Sequence, residues 1–179
     1  VVNQANLNAR NISLTAGSDL TVTNATVAAT GTNTLSGDGN VTLSGTLSSN
    51  GAFTINADND IDGNGVTTLS SAVNTNGGAF TARGNNVDIG ADVTTSGGSV
   101  TLTADRNSSG AGFFDLDGGA FISTSGGSFT ASGAQGSLND SSSINTGAGT
   151  ITASTTAGNL DIGSSTLTGG SVNLTSVGG

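Results

Sequence analysis

The stretch GGAFTARGNNVDIGADVTTS, residues 77–96, decides how the whole chain reads. It holds three short segments, AFTAR, NVDIG and DVTTS, separated by Gly and Asn. Within them apolar residues alternate with polar ones, the period-two pattern of a strand with one buried face. The next copy opens at once with GGSVTL, and later copies open GGSFTA at Gly126, AGTITA at Ala148 and GGSVNL at Gly169. Strand-length runs recurring about every 20 residues, with turn residues between them, predict an all-β parallel β-helix, or β-solenoid. Each copy is one coil of three short strands.

Working outward from residues 77–96, the other coils fall into place. Coils one to three cover residues 11–30, 31–50 and 51–76. The third reads AFTINA, then NDIDG, then a longer run, VTTLSSAVNTN. The fifth, residues 97–125, carries an insertion around DRNSSGAG, and the sixth and seventh begin at Gly126 and Ala148. An eighth starts at Gly169, and residues 1–10 are a weak partial copy with Val2, Leu7 and Ala9 as apolar positions. About seven to eight coils are therefore expected in one solenoid segment spanning 1–179, which reads as a slice of a longer repeat protein. Residues 66–71 and 105–112 are expected to bulge as loops. The terminal coils should expose apolar stack at Val2, Leu7, Val172 and Leu174, for neighbouring coils of a parent chain or a second copy to cover.

Aligning the first strands gives columns. Phe53, Phe80, Val100, Phe129, Ile151 and Val172 should point inward, and so should Ile55, Ala82, Leu102, Ala131, Ala153 and Leu174 two residues on. The columns trade volume: Phe80 and Phe129 are followed by Ala, Val100 and Val172 by Leu. A core of crystalline density needs such compensation. Between them Thr54, Thr81, Thr101, Thr130 and Thr152, then Asn173, should stack on the outer face. The Gly pairs 77–78, 97–98 and 126–127 fit corners with positive φ.

The alphabet is narrow. Cys, His, Lys, Glu, Pro, Met, Trp and Tyr are absent, Gly numbers 30, and the net charge is −9, from twelve Asp against three Arg. Such a Gly/Ser-rich composition can mean disorder, but apolar residues held in register argue for a stacked core. Nucleic acid is excluded as a partner, because phosphate neutralisation needs clustered Lys and Arg. No apolar run approaches the roughly 20 residues of a membrane-spanning helix, so membrane insertion is not expected.

Asp58-Asn59-Asp60-Ile61-Asp62-Gly63 matches the opening of a calcium loop, D-x-D-x-D-G. Leu69 stands where an EF-hand needs its bidentate Glu, so the choice is between a short calcium loop and solvated Asp residues flanking an inward Ile61. Aligned on the second strand, Asp60, Asp88 and Asp115 fall on consecutive coils, followed by Asn139 and Asp161. Like charges stacked about 5 Å apart destabilise one another, and calcium would relieve them. The candidate metal residues are thus Asp58, Asp60, Asp62, Asp88 and Asp115. Asp115 and Asp117 form the one conceivable glycosidase pair, but without a sugar platform of Trp or Tyr no enzyme is expected. Ice binding is set aside too, since no regular two-column Thr array exists.

The repeats resemble the shaft of bacterial large exoproteins of the filamentous haemagglutinin type, adhesins secreted by the two-partner route. The likeness rests on coil length, the GG-[SA]-[FV]-T openings, NLDIG-like second strands and the Cys-free composition, over nearly the whole chain. The family's secretion domain carries Asn-Pro-Asn-Leu; this chain has no Pro, so that domain is not among these residues. The resemblance implies a right-handed helix exported or displayed on the bacterial surface. It also implies a structural stalk that extends or displays binding elements, with host or surface glycans and proteins as partners. The alternative is a calcium-stabilised matrix or filament protein that self-associates.

Overall fold

The computed structural model describes residues 1–178, and all their regular structure is β. The first strands of eight coils stack in one parallel sheet: Ile12–Ala16, Asn33–Gly37, Phe53–Asn56, Phe80–Arg83, Val100–Thr103, Phe129–Gly133, Thr150–Thr155 and Ser171–Thr175. Second and third strands build the remaining walls as a branched sheet of fourteen strands. In the first two full coils they run together, as Leu20–Ala29 and Val41–Ser49. From the third coil they separate, as in Val66–Leu69 and Val73–Asn74. This is the solenoid that the repeat predicts.

The inward columns are those read from the sequence. Phe53 pairs with Phe80, Phe80 with Val100, Val100 with Phe129, Phe129 with Ile151 and Ile151 with Val172. The column two residues on runs in the same register, and the Thr ladder lies between them. All inward members are buried except Val172 and Leu174, exposed on the final coil, while Val2 and Leu7 pack partly buried against the core. The Phe column continues backward into Asn33, which is fully buried and donates Nδ2–H to the carbonyl of Ser48 at 2.7 Å.

Most stacked partners lie 20–22 residues apart, but Phe53 to Phe80 spans 27 and Val100 to Phe129 spans 29. Both long coils expand at the corner after the first strand. In the fifth coil this places the loop at 105–112, as expected. In the third coil the expectation fails: Val66–Leu69 is the second strand, in register with Asn86–Ile89, and the loop is 58–65. The alternation in NDIDG imitates a strand, yet Asp58 and Ile61 have φ of +51° and +61° and Ile61 is 49% exposed. Ile61 is therefore not inward.

The shift also corrects the acidic column. Asp88 stacks on Asp115, but the residue beneath Asp88 is Thr68, not Asp60. Above Asp115 comes Ser137, not Asn139, and then Asp161. The sixth coil hides its second strand because Gly136 occupies an apolar position. A Cβ there would meet the Phe114 ring at 2.0 Å, so the glycine makes room for the phenylalanine.

At the corner leading to the next coil, Thr75, Thr95, Thr124 and Thr146 are fully buried. Each hydroxyl donates to the carbonyl three residues on, at Gly78, Gly98, Gly127 and Gly149. The glycine pairs divide their labour. Gly77, Gly97 and Gly126 have φ between +105° and +119°. Gly78, Gly98 and Gly127 do not, and are needed because the preceding coil passes too close for a Cβ.

Candidate metal centre

The loop 58–65 leaves the first-strand wall after Ala57 and returns at Gly65, whose Cβ, if present, would lie 2.4 Å from the Asp58 backbone nitrogen. The coil thus continues as though the loop were absent. Inside it, the Ile61 N–H donates to the Asp58 carbonyl at 3.1 Å and the Gly63 N–H to Asp58 Oδ1 at 3.0 Å. Gly63, at φ +88°, supplies the turn that folds the loop back on its first residue.

These bonds bring three carboxylates together. Asp58, Asp60 and Asp62 each place an oxygen within 4.8 Å of the others'. Asp58 is fully buried, whereas Asp60 and Asp62 face solvent. The Asn64 side chain and backbone N–H hold the Asp62 carboxyl below its ordinary value, which keeps it charged. Oδ2 of Asp58 is buried and no hydrogen-bond donor reaches it. The nearest guanidinium, that of Arg106, is engaged elsewhere: its Nη1 donates to the carbonyls of Ala57 and Asp58 at 3.0 and 2.7 Å. Three clustered carboxylates facing water on one side form a set of hard oxygen donors suited to calcium.

Asp88 and Asp115 are not part of this group. They stack on each other on the second-strand wall, beyond the strand that begins after Gly65. Burial raises both carboxyls above their ordinary value, and the neighbouring Asp117 raises both further. Ser137 is in register with Asp115, and its Oγ and Asp115 Oδ1 are both buried without a hydrogen-bond partner. This ladder has two stacked carboxylates rather than three, and among the described residues the three carboxylates close enough together to hold a metal are Asp58, Asp60 and Asp62.

That shift has a sign. Both groups bind protons more readily folded than unfolded, so their contribution is unfavourable at neutral pH and fades as pH falls toward the ordinary carboxylate range. Asp88→Asn should raise the melting temperature at pH 7 by about 1–3 °C, the effect being small because both carboxyls stay partly in water. It should also reduce the gain that the parent chain shows on acidification to about pH 5. Melting curves at the two pH values check this; a variant less stable at pH 7 would refute it.

Sequence reading found Asp58, Asp60 and Asp62 through their spacing. It missed the burial of Asp58 and the guanidinium above it, because Arg106 comes from a coil two turns away. No protein-family model matches the chain, and no curated protein or solved structure is detectably similar to it.

Proposed function

We propose that the chain is a rod segment of a secreted or surface-displayed bacterial fibre, a structural stalk rather than a catalyst. The observation that carries this reading is the unbroken first-strand column. Every coil between the first and the final one buries its first-strand apolar residues against its neighbours in the stack, so the molecule adds length without adding width. Exposed Val172 and Leu174 continue the inward columns and offer the next coil, from the same chain or another copy, a surface to stack on. The resemblance to haemagglutinin-type shafts supports export and an adhesive context, with glycans or surface proteins bound through loops such as 105–112. The acidic loop favours the second reading, a calcium-stabilised filament that self-associates.

Growth along one axis is the testable property. The last first strand, Ser171–Thr175, precedes a corner, and Val2–Asn3 occupies a second-strand position, so a tandem duplicate continues the coil in phase. Each coil rises about 4.8 Å, so eight more should lengthen the particle by roughly 40 Å at constant cross-section in small-angle scattering. A duplicate that thickens instead would defeat the rod reading. Calcium-induced filaments from the single chain would favour the second reading, and polysaccharide cleavage lost in Asp115→Asn would mark an enzyme.

A further inference from the structure

The two insertions of this solenoid are the same loop written twice. Residues 58–65 read D-N-D-I-D-G-N-G and residues 105–112 read D-R-N-S-S-G-A-G. The first, fourth and sixth positions have positive φ in both: Asp58, Ile61 and Gly63 at +51°, +61° and +88°, and Asp105, Ser108 and Gly110 at +57°, +55° and +81°. The fourth residue donates to the first residue's carbonyl in each, at 3.1 and 2.9 Å, and the sixth donates to its carboxylate, at 3.0 and 3.1 Å. The closing glycines, Gly65 and Gly112, touch the backbone of Asp58 and Asp105 in the same way.

They differ at the fifth position, and the difference is one of donors. In the second loop Ser109 gives Asp105 Oδ1 two hydrogen bonds, from its N–H at 2.8 Å and its hydroxyl at 3.0 Å, while Gly110 serves Oδ2. Both oxygens of that carboxylate are satisfied by the protein. In the first loop the fifth residue is Asp62, whose ionised side chain can only accept. Asp58 Oδ2 is accordingly left buried with no partner, inside a cluster that adds two more carboxylates. A buried carboxylate oxygen without a donor carries a large desolvation cost that a cation removes.

We propose that the loop 58–65 is a calcium site formed by Asp58, Asp60 and Asp62, and that the loop 105–112 is its self-closed counterpart, which needs no ion. The second loop covers the first. Arg106 donates to the carbonyls of Ala57 and Asp58, and Asn107 Nδ2 lies where a Cβ on Gly63 would stand, at 2.3 Å. Calcium in the first loop therefore fastens two insertions that come from the third and fifth coils, across the short corner at Gly84 and Asn85. The inference stands whether the rod is a stalk or a filament, because it concerns an ion held within one chain.

Calcium titration by calorimetry, with melting curves in calcium and in chelator at equal ionic strength, provides the test. The parent chain should bind one ion with an affinity like that of extracellular calcium modules, about 0.1–1 mM, and melt several degrees higher at 10 mM calcium. Asp62→Ser copies the second loop's donor into the first; it should abolish the calcium shift while leaving the metal-free melting temperature unchanged or raised. Asp60→Asn, at an exposed position, should weaken binding about tenfold, and it decides the matter if Asp62→Ser does not fold. Asp88→Asn should keep the full calcium shift. The proposal is overturned if the parent chain shows no shift, if Asp62→Ser and Asp60→Asn retain it, or if Asp88→Asn loses it. A second bound ion that disappears in Asp105→Asn would overturn the contrast between the two loops.

Discussion

Phe80→Ala lowers the stability of the chain by about 3–5 kcal/mol, the usual cost of deleting a fully buried ring. Phe80 sits mid-stack, its ring 6.2 Å from that of Phe53 and inclined to it by 27°. The position opposite on the other side is Val100, too short to fill the space left behind. A solenoid transmits stability through neighbouring interfaces, so a hole in the fourth coil weakens the coupling between the two halves of the stack. Urea unfolding should show a lower midpoint, a broader transition, or both. Thr81→Ala, on the outer face of the same strand, should cost well under 1 kcal/mol. A compensating pair sharpens the test: Phe80→Val loses stability, and adding Ala82→Leu, which copies Val100 and Leu102 of the next coil, should restore much of it. Equal losses from Phe80→Ala and Thr81→Ala would mean that the inward and outward columns are misassigned.

Those columns were legible because, from the fourth coil on, the first strand opens after a recognisable Gly-Gly or Ala-Gly, which fixes register before any residue is compared. The second strands lack such a marker, and there the reading slipped. NDIDG alternates as a strand does, and nothing in composition separates it from VDIG at Val87. What separates them is Gly65, which closes the loop onto Asp58 and lets VTTL take up the wall. QGSL was concealed for the opposite reason. Its inward position holds Gly136, and the missing volume is supplied from below by Phe114.

The acidic loop could be picked out from its spacing, since three Asp at alternate positions before Gly are a ligand pattern on any backbone. Its equivalence to DRNSSGAG was harder to see. Only Asp, Gly and Gly are shared, and the likeness lies in φ values and hydrogen bonds that composition does not display. The buried Thr ladder escaped for a related reason. Thr95 looks like one more outer threonine of a β-rich chain until its hydroxyl is seen to donate to the carbonyl of Gly98.

Gly98→Ala should be among the most damaging conservative changes in the molecule outside the phenylalanine columns. An alanine Cβ at this position would stand 2.1 Å from the carbonyl oxygen of Gly78 and 2.4 Å from its carbon. Both are backbone atoms, so no rotamer change relieves the contact, and the two coils must separate. Separation strains the Phe80 N–H bond to the Ser99 carbonyl, now 2.9 Å, and the bond from the Thr95 hydroxyl to the Gly98 carbonyl. Overpacking usually costs about 1–3 kcal/mol, and a clash with fixed backbone belongs at or beyond the top of that range. Gly97→Ala is the control. Gly97 has φ +119° but open space around its Cβ, so that variant bears conformational strain alone, about 1–3 kcal/mol. If positive φ were the whole reason for the Gly pair, Gly97→Ala would be the worse of the two. Close approach between coils predicts the reverse order, and the two midpoints, measured side by side, decide between them.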